Sequence, residues 1–479
     1  MSQGRPHPPG PSGGRRPLPG TVYLQRRIAV AVAAVVALVA LASGINLLTR
    51  AGDDPAATVA TPAAQTPQLP SLADPTPVLA ADAGGEPAPN PAVLSQLLGQ
   101  ALDDFRLGGP VNAEVLDVAT GQVLFDQGAA DPVTPASTAK LATALAVELT
   151  VDPGLQLSTR VLAGATPGEI VLVGGGDPTL TTTPTGGLYA GAARLPDLAA
   201  QVKAAAGRAV TTVTVDSSLF AGSTTAPGWG AGDAPSSYAA PITATMVNAG
   251  RVSPDDEGIR AARPDLAAGQ ALADALGVPG AVIRQGTAPT RAVQLGEVRS
   301  VPIDRLVEQM LELSDNVLAE SLARQVALAA GQPASFEAAA AAVRVALAGA
   351  GLDVGSTSLV DGSGLSTSDR VTVRLLTGIL RLAAGPPESP GRALLAGLPV
   401  AAYDGTLEER FGQSPARGLV RAKTGTLNGV SALAGLVQTA DGRLVVFAFV
   451  GNQVPVGGRY PAESALDGAA TVLAGCGCR

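Results

Sequence analysis

Thr134-Pro135-Ala136-Ser137-Thr138-Ala139-Lys140, running on into Leu141-Ala142-Thr143-Ala144-Leu145, is the stretch whose reading decides the fold. Thr134 is a residue type that caps helices, and Pro135 suits a first helical position, where a missing N–H costs nothing. Leu141, Leu145 and Leu149 recur every four residues, an apolar stripe that carries the helix into a core. Ser137 then falls in the first turn, where free backbone N–H groups and the helix dipole favour developing negative charge. Lys140 follows one turn later on the same face, within reach of the Ser137 hydroxyl. The pattern implies a nucleophile with its base beside it.

Composition sharpens this. Of the 32 basic residues only Lys140, Lys203 and Lys423 are lysines. Arginine stays protonated, whereas a desolvated lysine can lose its proton and act as a base. The single histidine, His7, lies in a proline-rich N-terminal segment. A Ser-His-Asp triad in the folded part is therefore excluded, as is a histidine-based metal site, and no cofactor is expected. A net charge of −8 argues against nucleic acid as a partner. Cys476 and Cys478 stand two apart at the C-terminal end, a spacing that disfavours a disulfide framework and is read here as terminal thiols of open redox state.

Working toward the N-terminus, residues 1–27 carry Arg5, Arg15, Arg16, Arg26 and Arg27 and no acid, the composition of a disordered cytoplasmic tail. Ile28 to Leu48 is an uncharged apolar run, long enough at ~1.5 Å per residue to cross a hydrocarbon core of ~30 Å. Arginines before it place the remainder outside the cytoplasm. A retained membrane anchor is the preferred reading. A cleavable leader stays open, because Ala40-Leu41-Ala42 resembles a cleavage site. Residues 49–90 are a Pro/Ala-rich linker.

Order is expected from Pro91, with an amphipathic helix to Phe105 and a hairpin over Val111 to Gln127 turning at Thr120-Gly121. Residues 153–295 mix short strands with helical pieces and read as a mixed α/β insertion into a catalytic unit formed by 91–152 and 296–479. Helical periodicity over Val301 to Gly331 breaks at Leu313-Ser314-Asp315-Asn316, where Ser314 or Asp315 suits a helix N-cap. Helices over Ser335 to Gly349 and Val371 to Ala384 flank Asp361-Gly362-Ser363-Gly364-Leu365-Ser366. Three runs (Gly418 to Thr426, Val430 to Gln438, Leu444 to Val450) separated by Asn428-Gly429 and Asp441-Gly442 read as an antiparallel meander, covered by a helix over Ala462 to Leu473. Gly425 leaves room at a strand edge for a ligand.

Each short motif is weak alone, but their order and setting are not. Ser137-x-x-Lys140 opens a helix, Ser314-x-Asn316 lies between helices, and Lys423-Thr424-Gly425 ends a strand. This resembles the penicillin-binding protein and serine β-lactamase superfamily. The nearer likeness is to the D-alanyl-D-alanine carboxypeptidase/endopeptidase family of the penicillin-binding protein 4 type, peptidase family S13. It rests further on Gly174-Gly175-Gly176-Asp177-Pro178-Thr179-Leu180, Val215-Asp216-Ser217-Ser218-Leu219-Phe220, Pro227-Gly228-Trp229, Tyr238-Ala239-Ala240-Pro241-Ile242 and Asp404-Gly405-Thr406-Leu407.

The resemblance implies an α/β (α+β) transpeptidase-like fold, an antiparallel sheet flanked by helices with an inserted mixed domain. It implies a penicillin-sensitive serine DD-peptidase acting on peptidoglycan stem peptides, with β-lactam antibiotics as covalent inhibitors. By the same resemblance, Ser137 is the acylated nucleophile, Lys140 its base, Ser314 a proton relay and Asn316 a holder of Lys140 and substrate amide. Lys423 and Thr424 bind the substrate carboxylate, the N–H groups of Ser137 and Thr426 form an oxyanion hole, and Asp216 contacts the third stem residue. Thr367 stands where family members often carry arginine. A β-lactamase-like hydrolase or esterase on the same scaffold, or a non-catalytic penicillin sensor, are the alternatives.

Overall fold

The computed structural model describes residues 85–185, 187–254, 258–386 and 388–478. The expected tail, the apolar span 28–48 and all but the end of the linker lie outside the described residues. Among those described, no helix is long and apolar enough to cross a membrane.

The chain opens with α1 (Pro91–Leu102), β1 (Val111–Asp117), β2 (Val123–Gln127) and α2 (Lys140–Thr150). Then come β3 (Gln156–Ala163), β4 (Glu169–Val173), α3 (Leu195–Ala205), β5 (Thr212–Asp216), α4 (Pro264–Leu276), β6 (Val282–Gln285) and β7 (Gln294–Pro302). Five helices follow: α5 (Ile303–Glu312), α6 (Asn316–Ala329), α7 (Phe336–Gly349), α8 (Val373–Ala383) and α9 (Arg392–Ala396). The chain closes with β8 (Val420–Leu427), β9 (Val430–Gln438), β10 (Leu444–Gly451) and α10 (Arg459–Ala474).

Two five-stranded sheets result. The first has order β2-β1-β10-β9-β8 and is antiparallel throughout, with Val111 opposite Gly451 and Lys423 opposite Ala434. Its β10 is apolar at nearly every position because it is buried on both faces. Leu444, Val446, Ala448 and Val450 face one core, while Val445, Phe447 and Phe449 face the other. That period of two inside an unbroken apolar run is what a strand between two helical layers requires. One layer is built around α2, α6, α7 and α8; the opposite one comprises α1 and α10. In α1, Leu94, Leu98 and Leu102 present one apolar stripe, and the Asn90 side chain accepts the Ala92 N–H at 3.0 Å to cap the helix. At 25 cal/mol per Å², burying each such leucine is worth about 1.5–3 kcal/mol.

The second sheet has order β6-β5-β4-β3-β7, with β4, β5 and β6 parallel and β3 antiparallel to its neighbours. Its helices α3 and α4 close a third core. Because β7 pairs with β3 as far as Pro302, the second sheet runs past residue 295, where the sequence placed the return to the catalytic unit. Glycine and proline turns mark the start of that region, but nothing local marks its end, since β7 leads straight into α5.

Two further expectations are corrected. Thr134 does not cap the nucleophile helix: residues Ala136–Ala139 form a 3₁₀ turn, α2 begins only at Lys140, and no side chain caps either. Ala136 takes φ 48°, which inserts a sharp bend between Thr134 and the helix. Thr134 is instead clamped by Asn452, which accepts its N–H at 2.8 Å and donates to its carbonyl at 3.2 Å. Cys476 and Cys478 are paired. The chain turns after α10 so that their Cα atoms lie 5.0 Å apart, inside the range a disulfide spans.

Gly364 locks the turn between α7 and α8 against the nucleophile segment. It has φ 76°, and a Cβ there would lie 2.0 Å from the Ala136 carbonyl oxygen. Gly364→Ala is expected to lower stability by about 1–3 kcal/mol through overpacking. The urea midpoint measures this, and slower acylation of Ser137 should accompany it.

Candidate active site

The 3₁₀ turn carries Ser137 at its second residue, and the first residue of α2 is Lys140, fully buried. Lys140 Nζ lies 2.9 Å from Ser137 Oγ, 2.6 Å from Asn316 Oδ1 and 2.8 Å from the Ser363 carbonyl. Three acceptors in fixed directions hold the amine against the serine. Burial lowers its pKa to about 8 although the carboxylates Asp361, Asp315 and Glu320 pull the other way and Arg260 assists. The amine therefore loses its proton far more readily than a lysine in water.

Asn316 opens α6, and its Nδ2 donates to the Tyr238 carbonyl at 3.2 Å, so both ends of the amide are fixed. Ser314 precedes it with φ 54°, a left-handed conformation uncommon for serine. Its Oγ accepts from Lys423 Nζ at 2.8 Å, and Lys423 also donates to the Thr424 carbonyl at 3.1 Å. Lys423 is fully buried, and its pKa falls well below the ordinary value through that burial and repulsion from Lys140. Thr424 Oγ1 meets Thr406 Oγ1 at 2.9 Å. Gly425 passes the nucleophile closely: a Cβ there would lie 3.2 Å from the Ser137 nitrogen and 2.9 Å from the Pro135 oxygen. Thr426 Oγ1 donates to Glu463 of α10 at 3.1 Å.

Two chains of contact thus converge, Ser137–Lys140–Asn316 and Ser314–Lys423. Asp216 stands apart from them, at the end of β5 in the second sheet. Its two oxygens accept the Ser218 and Ala288 N–H groups at 3.0 and 2.8 Å, which holds its carboxyl below the usual range against the opposing effect of burial. The side chain organises its own turn at the end of β5.

Sequence reasoning missed the supports beneath the cluster. The Ser363 carbonyl is aimed by carboxylates: Asp361 accepts the Gly364 and Ser366 N–H groups at 2.7 Å each and the Trp229 indole at 2.8 Å. Glu320 accepts the Ser363 N–H at 2.8 Å. Asp361 lies in a stretch singled out by the sequence, but its chemistry depends on a backbone carbonyl that carries no residue signature. Among the described residues no group of three or more His, Cys, Asp and Glu side chains could hold a metal ion.

The D-Ala-D-Ala carboxypeptidase 3 (S13) family model matches residues 94–258 and 253–471. The chain belongs to that family. A carboxypeptidase of Mycobacterium tuberculosis is 43% identical over 380 residues, covering 77% of this chain and 81% of its own. The carboxypeptidase DacB of Mycolicibacterium smegmatis is 40% identical over 460 residues, covering 94% and 97%. In three dimensions the chain is similar to the crystal structure of penicillin-binding protein 4 from Haemophilus influenzae, with TM-score 0.66, 22% identity and coverage of 79% and 99%. Membership makes this S13 chain a serine D-Ala-D-Ala carboxypeptidase by class, on the penicillin-binding-protein fold expected from the motifs.

Because Lys140 must be neutral to take a proton, acylation of Ser137 by a fluorescent penicillin should fall as pH drops through about 8. Lys140→Arg, which stays charged, should lose about 10²–10⁴-fold in the acylation rate at every pH.

Proposed function

We propose that this S13 chain hydrolyses the terminal D-Ala-D-Ala bond of peptidoglycan stem peptides through an acyl-enzyme on Ser137, and also cleaves D-Ala-meso-diaminopimelate cross-links. The reading is carried by one observation: a buried lysine amine 2.9 Å from a serine hydroxyl, fixed by Asn316 and a backbone carbonyl. Ser137 Oγ attacks the carbonyl of the penultimate D-alanine while its proton passes to Lys140 Nζ. Backbone N–H groups of Ser137 and Thr426 receive the developing oxyanion, the first at the helical turn and the second on β8. As the C–N bond breaks, the proton on Lys140 passes through Ser314 to the departing amine, leaving Lys140 neutral. Water then adds to the acyl carbon while Lys140 takes its proton, and Lys140 returns that proton to Ser137 Oγ as the ester opens.

Lys423 and Thr424 bind the terminal carboxylate. In the free site Lys423 is disfavoured as a cation by burial and by Lys140. An arriving carboxylate restores its charge, and that charge in turn disfavours protonation of Lys140. Substrate binding thereby favours the form of the base that the reaction needs. Asn316 Nδ2 leaves the Tyr238 carbonyl to meet the substrate amide.

β-Lactams acylate the same serine in this reading, because they present an amide carbonyl and a carboxylate at similar spacing. Residues 28–48 anchor the chain in the cell membrane, or are removed as a leader, with the catalytic part facing the cell wall. The unit formed by 91–152 and the chain from Ile303 onward supplies the chemistry, and the segment inserted between them supports it.

Purified protein should release D-alanine from a model pentapeptide, and Ser137→Ala should abolish release without loss of fold. Lys423→Ala should raise KM far more than it lowers kcat. A folded protein that is stably acylated by penicillin yet releases no D-alanine would be a sensor instead. Rapid multiple turnover of penicillin would mark a β-lactamase-like hydrolase.

A further inference from the structure

Behind the Ser314-Asp315-Asn316 segment lies a buried ionic cluster that none of the chemistry above uses. Asp315 caps α6 by accepting the Leu318 N–H on Oδ1 at 2.9 Å. Its Oδ2 accepts from Arg251 at 2.7 Å, Arg260 at 3.0 Å and Tyr189 Oη at 2.9 Å. Arg251 also donates to Tyr189 Oη at 2.8 Å. All four side chains are nine-tenths buried or more. Both arginines come from the region between the two parts of the catalytic unit, where residues 251 and 260 form an antiparallel bridge. Arg260 also donates to the Ala249 carbonyl at 3.0 Å, which ties the same loop together.

Among the described residues Asp315 is the only carboxylate within salt-bridge distance of either arginine, so both guanidiniums act on one carboxylate there. What the second arginine does reach is the segment that matters most. Asp315 is bonded through the backbone to Ser314, which takes φ 54°, and to Asn316, which holds Lys140. A residue in that conformation persists only where its surroundings over-determine it.

We propose that Arg251 and Arg260 are positioning residues of the active site: gripping Asp315 from the second domain, they set the Ser314 and Asn316 side chains against Lys423 and Lys140. The proposal rests on the peptidase reading above. It gives the inserted region a defined task, coupling its loop to the reacting lysines through one carboxylate. It also gives Arg260 an electrostatic role. The titratable and charged groups around Lys140 are Asp361, Asp315, Glu320, Arg260 and Lys423. Of these Arg260 disfavours the ammonium form, as does the repulsion between Lys140 and Lys423.

The test begins with acylation of the full-length protein by a fluorescent penicillin, which must label Ser137. No labelling of wild type would be failure of the peptidase reading, a result distinct from failure of this proposal. Given labelling, Arg251→Gln and Arg260→Gln should each lower the second-order acylation constant at least tenfold. Arg260→Gln should also move the acid limb of the pH profile to higher pH, since removing a nearby cation lets Lys140 keep its proton longer. Arg260→Lys should return the limb toward its wild-type position. Wild-type rates and an unmoved limb in folded Arg260→Gln would overturn the proposal. So would a slower rate with an unmoved limb and no rescue by Arg260→Lys, which would assign the arginine to folding alone. If Arg260→Gln does not fold, Tyr189→Phe decides, because it deletes the hydrogen bonds to Asp315 and from Arg251 but no charge. A severalfold lower kcat for D-alanine release at unchanged KM supports the proposal, and wild-type kcat overturns it.

Discussion

A fully buried amine with three hydrogen-bond acceptors on it is the constraint around which this molecule is built. Lys140 Nζ touches a serine hydroxyl, an amide oxygen and a main-chain carbonyl, none of which carries a charge. Had any of the three been a carboxylate, the amine would be locked as an ammonium and useless as a base. The nearby carboxylates Asp361 and Glu320 are kept one step back, spent on backbone N–H groups that aim the Ser363 carbonyl. The scaffold thus uses negative charge to hold the acceptor and keeps that charge off the base itself.

The second lysine extends the constraint. Two buried amines close enough to repel cannot both be charged cheaply, so each one's proton depends on the other and on what binds. The sheet makes this arrangement rigid. Lys423 sits on β8 with hydrogen-bonded register to β9, and Gly425 brings that strand against the nucleophile turn without a side chain between them. Rigid neighbours matter because the shift in each pKa depends on distances that a mobile loop would blur.

Much of this was legible in the chain. The period-two and Asn-Gly or Asp-Gly signals gave the meander, because a hairpin turn and an alternating strand are both local. Ser137, Lys140, Ser314, Asn316 and Lys423 were legible because each sits in a short motif with a fixed chemical reason. Three things were not. Ala136 bends the backbone at a position where alanine gives no sign of it, so Thr134 was read as a cap. β7 passes into α5 with no intervening loop, so the end of the second sheet was placed too early. The pairing of Asp315 with Arg251 and Arg260 joins residues whose sequence separations are 64 and 55, with no motif to announce it. Long-range pairing of ordinary charged residues is where a single sequence stops speaking.

The sheet that carries the site is assembled from segments near the two ends of the described chain, with β1 at Val111 lying against β10 at Gly451. Lys140 meets partners 176 and 223 residues further along. A chain still emerging from the ribosome, with residue 140 long since exposed, has neither the central strands nor the acceptors that strip the amine of water. Its serine is as inert as any other surface hydroxyl. Reactivity is switched on by closure of contacts distant in sequence, which are the slow ones to form. Until residue 363 has been made, Lys140 lacks the last of its three acceptors.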